Sequence, residues 1–234
     1  MAKIGKFLFR YRNGLFPLIY FLVFVPSANL WPDWRLPLLL GTLVAIAGQV
    51  MRAFSIGWVY IIRGGKNRRF YAEGLVTEGV FAHSRNPLYL GNILIALGVG
   101  IALNSFVFVA VGGTFFVFAY RAIVAGEEEY LRAEYGKEFE RYKARVPRFI
   151  PNLGGIGETW REHRFKWRRL LVKEYGTTFV WIAGILLGKL YQFHRLGITG
   201  HEPVNRWLWV LFGVTSIAYL AARAAKKTGL VVAD

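Results

Sequence analysis

Polar side chains set inside or against long apolar stretches are the ones in this sequence with chemistry to do, because a buried or intramembrane polar group is costly unless it serves something. Three such places stand out. Arg52 follows Gln49 by one helical turn inside an apolar run. Gly79–Gly91 (GVFAHSRNPLYLG) gathers His83, Arg85 and Asn86 just ahead of Pro87, with Tyr89 and Gly91 in the turn that follows. Glu127, Glu128 and Glu129 come directly after another apolar run. Donors at a helix start suit a carboxylate or phosphate, although Arg-Asn-Pro is also an ordinary way to begin a helix. Successive helical residues point about 100° apart, so the three glutamates cannot all face one ligand; one or two face inward and the rest meet solvent. For Arg52 two readings stay open. It snorkels to the headgroups about 24 Å along its helix, or it holds an anionic group.

The elements that must position these residues are membrane helices. Runs at roughly 14–31, 36–62, 88–103, 105–125, 177–193 and 205–224 are apolar and long enough to predict an all-α polytopic bundle of about six spans. Pro17 and Pro26 bend or shorten the first of these, and Pro37 suits the first turn of the second. Only Asn104 and Ser105 separate the third from the fourth, which predicts a tight helical hairpin. Residues 126–151 predict a surface helix after the fourth span, with Leu131, Tyr135, Phe139 and Tyr142 on one face and Arg132, Lys137, Arg141 and Lys143 mostly elsewhere. The glycine-rich stretch 152–157 marks a boundary. It divides a core over 1–151 from a basic connector with two additional helices over 152–234.

Composition agrees with that architecture. Of 234 residues 55% are hydrophobic and 19% charged, against about a quarter charged in a soluble domain. Trp31, Trp34, Trp58, Trp207 and Trp209 sit near the ends of apolar runs, where aromatic rings settle at headgroups. With no cysteine, thiol nucleophiles, Cys-ligated zinc and disulfides are excluded. The four histidines (His83, His163, His194, His201) lack metal-helix spacing, so no metal site is expected. The net charge of +16 is distributed by side. Six spans put Lys3 to Arg12, Arg63 to Arg69, Arg85, the basic residues of 121–174, and Arg223, Lys226 and Lys227 on one face. Arg35, Lys189, Arg195 and Arg206 fall on the other. The positive-inside rule makes the first face cytoplasmic, with both termini there. The charge therefore reads as topology plus attraction to anionic membrane lipids, not as a nucleic-acid interface.

Taken together the motifs resemble the integral membrane methyltransferases that include isoprenylcysteine carboxyl methyltransferases and phospholipid N-methyltransferases. The family's Gly-Pro-Tyr turn and Arg-His-Pro-x-Tyr-x-Gly run are read here as Gly79-Val80-Phe81 and Arg85-Asn86-Pro87-Leu88-Tyr89-Leu90-Gly91. Its Glu pair, following Leu, Phe-Gly and closing Tyr, Arg and Pro are read as Glu127-Glu128, Leu131, Tyr135-Gly136, Tyr142, Arg145, Arg148 and Pro151. The likeness runs from about Gly48 to Pro151. It departs at Val80, Phe81 and Asn86, the last of which weakens any requirement for a histidine at that position.

The resemblance implies S-adenosylmethionine as methyl donor at the cytoplasmic face, between a wall made by Arg85–Gly91 and another made by Glu127–Pro151. It implies cofactor binding by Arg85, Asn86, Tyr89, Gly91, Glu127, Glu128 and Tyr142. It implies roles for Arg145 and Arg148 in binding or orienting an anionic group. The acceptor is a lipid or lipidated substrate, either an isoprenylcysteine-type carboxylate or a phospholipid amine, and His83 is the candidate base if it is an amine. Two other functions fit the same architecture: an NADPH-dependent sterol-type reductase and a non-catalytic lipid-binding protein. Oligomeric state and the role of 152–234 are not legible.

Overall fold

The computed structural model describes residues 1–58, 70, 74–195 and 202–232. Arg63 to Arg69, Gly64, Gly65, His201 and the end of the second predicted span lie outside the described residues. Within them the chain is all-α: α1 (Ala2–Tyr20), α2 (Arg35–Gly57), α3 (Pro87–Ala102), α4 (Thr114–Arg145), α5 (Ile156–Glu162), α6 (Trp167–Arg195) and α7 (Glu202–Lys227). Four helical segments are long and apolar enough to cross a membrane, namely Arg35–Gly57, Phe108–Arg145, Trp167–Arg195 and Pro203–Lys227. Against an expected count of about six, the described residues hold these four; α3 is apolar but only 16 residues long, and α1 does not reach the same standard.

The first apolar run starts and stops earlier than its hydropathy predicts. Helix α1 begins at Ala2, carries Pro17 within it and passes into a 3-10 turn, Phe21–Phe24. Val25 is then extended (φ −71°, ψ 125°), as the ring of Pro26 requires of the residue before it. Pro87 opens α3 at its first turn, where a missing N–H leaves nothing unsatisfied. The hairpin between α3 and the next helix turns on Asn104, whose φ of +54° an asparagine tolerates. Its side chain is tied on both sides to the Trp31 backbone, accepting from Trp31 N–H at 3.0 Å and donating to Trp31 C=O at 2.8 Å. A π-helical turn at Phe108–Gly113 precedes α4.

The surface helix does not begin at residue 126. Helix α4 runs without a break past the glutamates and kinks at Gly136, whose φ of +47° and ψ of −119° suit a residue without Cβ. Beyond that kink Phe139 and Tyr142 are buried with Leu131, and Tyr135 packs against them. Helix α6 likewise starts at Trp167, turning part of the basic connector into helix.

Helices α2 and α3 make the closest pair in the bundle. Gly41 and Gly48 of α2 face Gly98 and Gly91 of α3. A Cβ on Gly48 would lie 2.6 Å from the Gly91 carbonyl, and one on Gly98 would lie 2.6 Å from the Gly41 carbonyl. Backbone meets backbone along this seam, and the lack of side chains is what permits it. At α1 and α4, Gly5 lies on the Ala122 carbonyl and Lys6 pairs with Glu129 at 2.5 Å. The start of α1 therefore lies level with the glutamates. Lys226, near the end of α7, donates to the Val172 carbonyl, bringing the end of the chain to that same end of the bundle.

Candidate functional site

Two backbone segments are laced together at that end. The short turn Gly79–Ala82 leads into His83–Asn86, and 142–152 runs alongside. Tyr142 Oη donates to the Phe81 carbonyl (2.8 Å), Arg85 N–H to Pro147 (2.9 Å), Ser84 Oγ to Phe149 (2.7 Å) and Asn86 Nδ2 to Arg148 (2.9 Å). The Asn152 N–H donates to the His83 carbonyl at 2.9 Å. The two expected walls, Arg85–Gly91 and Glu127–Pro151, thus touch directly.

Glu128 is the electrostatic centre of the join. It is buried, with Arg85 Nη1 3.0 Å from Oε1, Arg148 Nε donating to the same oxygen at 3.1 Å, and Arg148 Nη2 on Oε2. The carboxylate stands between two guanidiniums, and hydrogen bonds of this kind are charge-assisted. Its neighbours point elsewhere. Glu127 is buried on the wall of a cavity, while Glu129 is exposed and meets Lys6.

That cavity, about 910 Å³, lies between α1, α2, α3, α4 and α6. Arg85, Asn86, Tyr89 and Glu127 line it. Phe81, Phe116 and Tyr120 add aromatic wall, with the rings of Tyr89 and Tyr120 5.3 Å apart. Tyr142 and Gly91 do not reach it. The first is fully buried against Phe81, and the second seats α2, since a Cβ there would lie 2.6 Å from Arg52 Cγ. Arg145 is exposed at the end of α4, its Nε turned to the Arg141 carbonyl. His83 is buried with both ring nitrogens engaged, Nδ1 on the Asn152 carbonyl (2.7 Å) and Nε2 on Thr159 Oγ1 (2.8 Å). Because a carbonyl only accepts, Nδ1 donates to it. This histidine ties the turn to α5.

Other residues at the cavity find their partners only through the fold. Arg52 lines it and holds an anionic group supplied by the protein itself. Its Nε and Nη2 meet Glu174 at 2.8 and 2.6 Å, and its Nη1 meets the Asn92 side-chain oxygen. Gln49 also donates to Glu174 (2.9 Å) and accepts from Trp181 Nε1 (3.1 Å). Glu174 lies on α6, 122 residues from Arg52, so only the fold reveals the pair. Arg12 lines the cavity from α1, with its guanidinium 4.3 Å from the centre of the Phe9 ring. Among the described residues no group of acidic or histidine side chains is placed to hold a metal.

The phospholipid methyltransferase family (PEMT) matches residues 37–138, which include the seam, Arg85–Gly91 and Glu127–Glu128. The cobalt-zinc-cadmium resistance protein CzcN of Cupriavidus metallidurans is 30% identical over 205 residues, 83% of this chain and 88% of that protein. The nickel-cobalt-cadmium resistance protein NccN of Alcaligenes xylosoxydans xylosoxydans is 27% identical, over 65% of this chain and 70% of that one. The protein-S-isoprenylcysteine O-methyltransferase of Schizosaccharomyces pombe is 34% identical over 109 residues, covering 44% of this chain and 45% of its own length. No solved structure matches the chain.

Proposed function

Since the chain belongs to the family of integral membrane methyltransferases that includes the isoprenylcysteine carboxyl methyltransferases and the phospholipid methyltransferases, we propose that it transfers a methyl group from S-adenosylmethionine to a lipid-like acceptor at the cytoplasmic face of the membrane. The observation that carries this reading is the cavity, charged and aromatic at the laced end of the bundle and apolar beyond it.

The residues present suit the donor. Glu127 offers a buried carboxylate for its ammonium group, Arg85 and Asn86 offer donors for its carboxylate, and Phe81, Tyr89 and Tyr120 offer faces for its adenine ring. Glu128 acts behind them by fixing Arg85 and Arg148. When bound, S-adenosylmethionine supplies a methyl group on a sulfonium sulfur, which keeps the electron pair as the acceptor atom bonds to carbon. Such a displacement disperses positive charge and asks the protein for alignment and dryness more than for an acid.

The site favours an acceptor that is already an anion, such as a carboxylate. An amine acceptor must first lose a proton, and both nitrogens of His83 are committed to Asn152 and Thr159. A carboxylate needs only orientation, and Arg12 and Arg85 stand on the cavity wall, where Arg52 is already paired with Glu174. The test is a thermal-unfolding titration of the purified protein with S-adenosylmethionine, S-adenosylhomocysteine and NADPH. A ligand at about a hundred times its Kd adds roughly 2.7 kcal/mol to native stability. Stabilisation by the two sulfur compounds is expected; stabilisation by NADPH alone would overturn the proposal in favour of a reductase.

A further inference from the structure

Helix α6 lies wholly beyond the stretch that the family matches, 37–138, yet it supplies a complete side of the cavity. Gly176, Thr177, Val180, Trp181 and Gly184 line it, and their spacing is that of one helical face. Facing them are Asn13, Phe16, Pro17, Tyr20 and Phe21, one face of α1 and its 3-10 continuation. Helix α1 packs on α4, whereas α6 packs on α2, α3 and α7, so the two faces leave a slot between them. The rings of Phe24 and Tyr191 meet edge-on at 5.2 Å and close its far end.

Along its length the slot is open. Phe21 and Val180 are 62% and 68% exposed, and Pro17 and Gly184 are exposed beside them. The surroundings of a spanning helix are hydrocarbon, so an apolar slot open on that side fills with a hydrocarbon chain. The slot leads inward to Arg12, Arg52 and Arg85. An apolar channel ending at charged and hydrogen-bonding groups, among them the pairs Arg52–Glu174 and Arg85–Glu128, is complementary to an amphiphile with a hydrocarbon tail and a polar head.

The glycines of α6 divide between two tasks. A Cβ on Gly188 would press on Leu103 at 2.7 Å, so that glycine docks the helix; Gly176 and Gly184 would meet nothing within 4 Å, so those two leave room. We propose that α6 is the acceptor-selecting wall of the cavity: a lipid chain enters from the bilayer between α1 and α6, and the bare positions Gly176 and Gly184 set the bulk of the chain admitted. The identity of the lipid as methyl acceptor rests on the function proposed above; its place in the slot does not.

The experiment uses the full chain in phospholipid nanodiscs and palmitate carrying a terminal diazirine, cross-linked by light and mapped by mass spectrometry. Labelling is expected within 13–21 and 176–184, above that on the outward face of α7 around Val214 and Ile217. Gly184→Trp should reduce slot labelling about tenfold, leaving α7 labelling and stabilisation by S-adenosylhomocysteine intact, and Gly184→Leu should fall between. Slot labelling no higher than that of α7, or unchanged in both variants, would overturn the proposal. If Gly184→Trp fails to fold, the graded loss in Gly184→Leu decides. Slot labelling that responds to these variants in a protein that no sulfur ligand stabilises would uphold the slot and refute methyl transfer.

Discussion

Three consecutive glutamates have three different surroundings, and those surroundings separate their roles. Glu127 faces the cavity, Glu128 is clamped by Arg85 and Arg148, and Glu129 meets Lys6 at the surface. The division follows from helix geometry alone and is legible in the sequence, which requires that they not share one ligand. Which of them turns inward depends on the rotation of α4, and no local pattern encodes that rotation. Glu128→Gln takes the counter-charge from a buried arginine, so the variant should lose about 3 kcal/mol of stability and bind S-adenosylhomocysteine more weakly. Glu129→Gln should leave both unchanged, because an exposed ion pair contributes little. Thermal unfolding and calorimetry in detergent read both quantities, and equal behaviour of the two variants would remove Glu128 from the site.

At the scale of elements, the α2–α3 seam and the attachment of α6 hold the cavity in shape. Substituting Gly48 by Leu drives a side chain into the Gly91 carbonyl and the Leu94 Cβ. The expected result is a loss of at least about 1–3 kcal/mol, seen as a lower melting temperature. Gly14→Ala, with nothing within 4 Å of the new Cβ, should melt like the wild type. Glu174→Ala leaves the partly buried Arg52 without its carboxylate and should lower stability by about 3 kcal/mol, whereas replacing both residues by Met and Leu should recover most of that loss. A double variant as unstable as the single one would mean that the arginine is not what Glu174 supports. Neither feature is legible beforehand for the same physical reason. Glycines seven apart read as generic small residues until a partner helix is known. Glu174, beside Lys173 and Tyr175, looks like one more charge in a basic connector. The local features were legible: Pro87 opening α3, the Asn104 turn, and the apolar face of Leu131, Phe139 and Tyr142. Each depends on nearby sequence alone.

For the whole molecule, the fold and the charge distribution both support the proposed orientation. The structure brings the start of α1, the laced segments 79–86 and 142–152, Glu174 and the end of α7 to one end of the bundle. Trp31, Asn104 and the Leu103 carbonyl bound by Gln192 lie at the other. Basic residues crowd the first end, which the proposed orientation therefore puts on the cytoplasmic side. A water-soluble donor then has access at the end where the arginines and glutamates stand, while the slot between α1 and α6 faces the bilayer. The absence of cysteine makes this directly measurable, because a single introduced thiol has no background. Lys3→Cys and Thr228→Cys should react with a membrane-impermeant maleimide in inverted vesicles and not in right-side-out ones, and Asp33→Cys should show the reverse. Labelling of Lys3→Cys and Asp33→Cys from the same side would place both ends of α1 on one face. Helix α1 would then lie along the membrane surface, and the slot it forms with α6 could not receive a lipid chain from within the bilayer.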